Sequence, residues 1–478
     1  MANDTEKQLK RQDMMLNQPV GSVIVKMAVP TIIAFLINSI YSLADTYFVS
    51  GLGQEATAAV SVNASLDQLI MMCGSMLAVG ANSYIARLLG QGNNKKASQV
   101  LSTAFFIAMA ISLLLTVFGN IFMKEMVLLL GATPTCLEYS IDYATYVLFA
   151  APFMATSFVM NQCLRSEGSA TLSMIGMGFG GILNCFLDPV FIHGVPALGL
   201  PAMGVAGASL ATMISKIVSF VILIFPYVTR KSLLHLSIRN FYPSRDIIGK
   251  IVSVGSSSMF RSGLAVVAGI LLNREAGAVS DAVLAAIGVS TKIMMFPFSI
   301  ILGFGTGFQP VAGFNWGAKR YDRVMDSYRF ASRIALVGGV IMGLLLAVFA
   351  EPIISAFSDP EDISAEMVRI GTLCIRLQCL ALPIHSWVAL VNMLCSGLGN
   401  AMGAFILATA RQGTCMLPIL YPMTWIFGAN GIASVQAVAD VLSLALAIPI
   451  CLGMMKKIRK AAADHAAQQH SPEAEVNG

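Results

Sequence analysis

Two carboxyl groups stand in this chain where apolar residues are expected. Asp45 lies within the apolar run 29–53, which is long enough to cross a bilayer. Asp188 closes a second such run, in Asn184-Cys-Phe-Leu-Asp188-Pro189. A carboxyl group in hydrocarbon is costly, so it normally faces a cavity and handles ions or protons. Such a group can take and release a proton, or offset its desolvation by pairing with Na⁺. Asn184 and Asp188 are four residues apart and share one helix face. Together they offer a carboxylate and an amide oxygen, hard ligands suited to Na⁺ or to a hydrogen-bonded acid. Pro189 removes a backbone donor and can free carbonyls by kinking the helix. The competing readings are structural. Asp45 would be a helix-end carboxylate bonded to Ser42 or Thr46, and Asp188 a polar helix terminus at the membrane surface.

The elements that must position these residues follow from composition. Apolar residues make up 56% and charged residues 12%, against roughly 25% charged in soluble domains. We expect an all-α membrane protein with spans at 22–50, 55–80, 98–122, 139–162, 169–191, 204–228, 248–272, 282–310, 329–350, 364–391, 402–425 and 431–454. The start is polar and lacks a cleavable signal sequence, so the first span is expected to direct insertion. Eight of the nine cysteines fall in or beside apolar segments without metal-ligand spacing, and read as small packing residues. The net charge of +5 is spread over loops rather than gathered in a patch, so nucleic acid is not an expected partner.

Charge also sets orientation. Basic residues occur before the first span (Lys7, Lys10, Arg11), after the second (Lys95, Lys96), after the sixth (Arg230, Lys231, Arg239, Arg245, Lys250), after the eighth (Lys319, Arg320, Arg323) and in the tail (Lys456, Lys457, Arg459, Lys460). The alternate loops carry Glu55, Glu138, Asp142, Glu351, Asp359, Glu361 and Asp362. This pattern places both termini in the cytoplasm. The chain also repeats itself. Leu89-Gly-Gln-Gly92 pairs with Phe314-Asn-Trp-Gly317, Leu164–Ala170 with Cys395–Ala401, and Gly204–Ser209 with Gly428–Ala433. We therefore expect two pseudo-symmetric six-helix bundles around a central cavity, related by an axis along the membrane normal. The segments are 1–20 (cytoplasmic), 21–228 (first lobe), 229–247 (cytoplasmic linker), 248–455 (second lobe) and 456–478 (a tail expected to be disordered). On this repeat Asp45 maps near Ile270 and Asp188 near Ile419, so neither acid has a counterpart and ion coupling is assigned to the first half.

Five segments carry a resemblance to a known family: Tyr41-Ser-Leu-Ala-Asp45-Thr-Tyr-Phe-Val-Ser-Gly51, Leu88-Leu-Gly90-Gln-Gly92, Leu164-Arg-Ser-Glu-Gly168, Asn184–Ile192 and Asn315-Trp-Gly317-Ala-Lys. At these positions in a duplicated chain they resemble the multidrug and toxic compound extrusion (MATE) family, in its prokaryotic DinF/MepA-like branch. The resemblance spans about Val20 to Met455. It implies cation-coupled antiport, with H⁺ or Na⁺ entering a prokaryotic cell across its plasma membrane while an organic, often cationic, compound leaves by rocking of the two lobes. It places Asp45, Asn184 and Asp188 in the cation site and suggests a span-6 hydroxyl, matched by Thr212. A mid-helix threonine, however, usually bonds its own backbone. No cofactor beyond the transported ion is implied. The expected partners are a small organic cation and membrane lipid, and the expected state is a monomer.

Other polar residues are candidates for the cavity or a gate: Asn38, Asp67, Arg165, Glu167, Arg261 and Arg411. Arg165 and Glu167 match a family loop motif and read as a cytoplasmic gate or fold-stabilising pair. Lys216, Lys292 and Arg333 read as snorkelling to headgroups. His385 reads as a packed, hydrogen-bonded helix residue rather than a proton relay, and Asp440 also falls within a span. Met71, Met72, Met76, Met294, Met295, Phe296 and Phe298 would give the cavity a soft wall for planar lipophilic cations. Rival readings are a lipid-linked oligosaccharide flippase, an intramembrane transferase and a receptor. The paired acids and twelve spans count against the first, and the lack of Asp-rich or His/Asp motifs counts against the second.

Overall fold

The computed structural model describes residues 11–195, 201–356 and 364–469. The sequence-predicted features at Lys7, Lys10, Asp359, Glu361, Asp362 and the last nine residues lie outside them. The helices are α1 (Val20–Ser50), α2 (Gln54–Gly90), α3 (Asn94–Ile121), the short α4 (Met123–Leu129), α5 (Leu137–Ser166), α6 (Ala170–His193), α7 (Val205–Val228), α8 (Arg245–Val279), α9 (Asp281–Gly317), α10 (Tyr321–Val348), the short α11 (Ala350–Ala356), α12 (Ala365–Leu398), α13 (Ala401–Thr409) and α14 (Met416–Gln469). A π-helical turn, Ala410–Cys415, joins the last two.

Among the described residues, eleven helical stretches are long and apolar enough to cross a membrane. The last runs from Ala401 to Gln468 and contains Gly428 at φ 54°, ψ −132°. That left-handed geometry breaks the helix, so the stretch holds two spans and the expected twelve are present. The tail departs from expectation. Residues 456–469 of it are helical rather than disordered, because the alanine-rich sequence after the last span propagates its helix.

The two halves superpose residue by residue in their contacts. Gly204 has φ 56°, ψ −127°, the same unusual geometry as Gly428. Asn161 Nδ2 donates to Ser173 O at 3.0 Å, and Asn392 Nδ2 to Ala404 O at 2.8 Å. Both residues of that bond are offset by 231. The halves meet at paired close approaches. A Cβ on Gly90 would lie 2.0 Å from Phe314 O, and one on Gly317 2.0 Å from Arg87 O, pairs related by an offset of 227. Gly80 against Ile251 and Gly307 against Ala28 relate α1 to α8 by an offset of 223. These contacts, with the Ser83–Ser396 hydrogen bond, close the halves at the end carrying Lys95, Lys96, Lys319 and Arg320. Phe191 O packs on Gly207 as Met423 O packs on Gly431. The offset from Phe191 to Met423 is 232, one more than the 231 before the π turn, which inserts one residue into the second copy.

These contacts correct the repeat read from sequence. Asp45 corresponds to Ala268 rather than Ile270, and Asp188 to Leu420 rather than Ile419.

Candidate functional site

Helices α1, α6 and α7 bring the sequence-predicted residues together. Asn184 Nδ2 donates to Asp188 Oδ1 at 3.1 Å and to Thr212 Oγ1 at 3.2 Å. All three side chains are buried. Thr212 thus bonds across to a neighbouring helix. Asp45 is within electrostatic reach of Asp188. Thr46 bonds Ser42 O, whereas Asp45 Oδ1 is buried with no hydrogen-bond partner, so the helix-end reading of Asp45 is not what the fold adopts. Asn184 Oδ1 and Asp188 Oδ2 are likewise buried and unpartnered. Three oxygens of three candidate residues therefore lack a donor inside the protein. Buried acceptors in that condition cost free energy until a proton or cation satisfies them.

Asp67, on α2, adds a fourth such oxygen, Oδ1. It acts electrostatically together with Asp45 on Tyr41 and Tyr143. Lys216 does not snorkel. Its ammonium sits 5.0 Å from the centre of the Tyr41 ring and bears on both Asp45 and Asp67. It also lines a cavity of about 70 Å³ with Asn38, Met71, Asn161 and Ser219. Lys216 was thus missed as an inward-facing charge; its apolar flanks suggest lipid, and only helix rotation distinguishes the two.

The second half holds the counterpart of this region, with different chemistry. Asp45, Tyr143, Asn184 and Asp188 correspond to Ala268, Cys374, Met416 and Leu420. All four belong to one buried apolar cluster. Asp67 corresponds to Met294, which packs with Ile301 and Leu382 and lines neither of the two matched cavities. The cavity itself is retained. Asn38, Met71, Asn161, Lys216 and Ser219 correspond to Arg261, Phe298, Asn392, Asp440 and Ser443, and all five line a larger cavity of about 280 Å³. There Asp440 Oδ1 lies 2.9 Å from Arg411 Nε and 3.1 Å from His385 Nδ1. The Arg411 guanidinium stacks 4.4 Å from the Phe298 ring centre, and its Nη2 donates to Gln436 at 3.4 Å. His385 is therefore a packed residue hydrogen-bonded to the Arg411–Asp440 ion pair, as the sequence reading expected.

Arg165 and Glu167 do not pair. Arg165 is buried, donates to Asn161 and lies over Phe35. Glu167 accepts from Ser232 Oγ at 2.7 and 2.6 Å and from Leu233 N at 2.7 Å, which ties the linker to the end of α5. Burial pushes its carboxyl up to about 7, against those hydrogen bonds. Of the predicted soft wall, Met71 and Phe298 line cavities, while Met72 and Met76 pack against Gly263 and Gly255 of α8. The nine cysteines are free.

Comparison with known proteins gives a consistent picture. The MatE family profile matches residues 30–190 and again 258–426, once per half. The chain is 26% identical over 427 residues to the multidrug export protein MepA of Staphylococcus aureus (strain MSSA476), covering 89% of this chain and 92% of that one. It is 27% identical over 425 residues to MepA of Staphylococcus saprophyticus, covering 87% and 90%. A crystal structure of a MATE protein in complex with MaL6 shares the fold at TM-score 0.87 and 24% identity, covering 95% of this chain and 99% of that one. The outward-facing structure of a multidrug resistance MATE family transporter aligns at TM-score 0.85 and 25% identity, over 94% and 98%. The chain belongs to the MatE family, as a MepA-like member built from two pseudo-symmetric helical bundles.

Proposed function

We propose that this protein is a cation-coupled antiporter that exports small organic molecules, lipophilic cations among them, from a prokaryotic cell. The reading rests on one observation above the rest: Asp45, Asn184 and Asp188 each keep a buried oxygen without a donor. A proton or Na⁺ bound there satisfies them, and its release restores the cost. Asp45, Asn184 and Asp188 have only apolar counterparts in the second half, so ion binding acts on the first lobe alone. The ion's differential affinity for the two conformations then drives the exchange. In the conformation described, the halves are closed at the basic end. With that end in the cytoplasm, as the charge pattern argues, the cavity faces outward. Rocking of the lobes that parts the Gly90–Phe314 and Gly317–Arg87 crossings would open the cytoplasmic face.

The named relatives are multidrug exporters, which supports a small-molecule substrate here. Purified protein in proteoliposomes tests the reading. A pH or a Na⁺ gradient, imposed separately, should drive efflux of a cationic dye. Efflux driven by neither gradient contradicts the proposal, and the gradient that succeeds identifies the ion.

A further inference from the structure

We propose that the cavity of the second half is a subsite for the carboxylate of an amphoteric organic substrate, anchored by Arg261. This rests on the export reading above. The cavity, about 280 Å³, approaches the size of small-ligand pockets, roughly 300–1,000 Å³. It contains two guanidinium groups and one carboxylate. That carboxylate is committed, since Asp440 Oδ1 serves both Arg411 and His385. Arg261 has no such partner among the described residues. Its Nη2 donates to Ser258 Oγ at 3.3 Å, and no ion pair engages it.

A guanidinium offers five donors in a planar fork that matches a carboxylate in two parallel bonds. Leaving such a charge in a spanning segment without a counter-ion is costly. The cavity is where that counter-ion fits. Gln68, Asn392 and Gln412 line it with further amide groups, and the Phe298 ring provides a flat apolar face. The symmetry sharpens the case. The residue corresponding to Arg261 is the neutral Asn38, whose cavity is about a quarter as large. At this position the second half has a guanidinium where the first has a neutral amide, and more room around it. A purely cationic molecule would meet repulsion from Arg261, whereas a molecule bearing an acid as well as an amine would be drawn to it.

The test is selectivity between dansyl-lysine, whose amino-acid end carries both charges, and its methyl ester, a cation. Each is measured for ion-driven efflux from proteoliposomes. Arg261→Gln should lower the acid-to-ester ratio of kcat/KM roughly ten- to hundred-fold, the value of a lost charge-assisted pair. Arg261→Lys, which keeps the charge but not the fork, should fall between wild type and the Gln variant. It also decides the matter if Arg261→Gln does not accumulate in the membrane. A ratio unchanged in the variants, whether or not overall transport falls, overturns the proposal and leaves the export reading intact. Failure of the wild type to export even the ester overturns both.

Discussion

Lys216 and Asp440 occupy the same position in the two halves and carry opposite charge. Each lines its own half's cavity, beside the matched pairs Asn161/Asn392 and Ser219/Ser443. The duplication has kept the cavity's frame and reversed one of its charges. In the first half the ammonium faces carboxyl groups that have no other cation among the described residues. In the second the carboxylate is held by Arg411 and His385.

On the proposed coupling, Lys216 would compete with the transported cation for Asp45 and Asp67. Lys216→Met should raise the apparent affinity for the coupling ion about tenfold, the equivalent of about 1.4 kcal/mol. The check is the ion concentration that gives half-maximal efflux. An unchanged or weakened affinity would remove Lys216 from the coupling account.

The crossings between halves depend on glycine. A Cβ at Gly90 or Gly317 would come within 2.0 Å of a backbone carbonyl on the other half, so neither can take a side chain without parting the helices. Gly90→Ala and Gly317→Ala should each destabilise the closed form by about 1–3 kcal/mol, as overpacking does. Thermal unfolding in detergent and dye efflux should both decline. Gly269→Ala, where a Cβ meets open space, should leave both unchanged.

Glu167 should make stability depend on pH. Its folded-state carboxyl is raised from 4.5 to about 7 by burial. The folded chain therefore keeps a proton that the unfolded chain releases. Its contribution is fully present below about 4.5 and is lost as pH rises through about 7, a change of about 3 kcal/mol. Glu167→Gln should flatten the unfolding midpoint between pH 5 and pH 8. A slope equal to that of wild type would contradict the assignment.

Much of this was legible in the sequence, and the failures have physical causes. Asp45, Asn184 and Asp188 stood out because charge and amide groups are rare in apolar runs, and the structure brings them to one place. Thr212 was less visible, since a threonine's partner depends on which helix packs beside it. Lys216 was misread for the same reason: composition gives depth in the membrane but not rotation about the helix axis. The repeat was recognised, but a nearly constant offset hid the residue inserted by the π turn at Ala410–Cys415. The tail's alanines signalled helix, and their polar neighbours outweighed them in the reading.

The coupling assignment is tested most directly by gradient-driven dye efflux in proteoliposomes containing Asp45→Asn or Asp188→Asn protein. Each variant should insert normally and bind the dye, yet fail to export it against its gradient. Export at the wild-type rate by both variants would contradict the account.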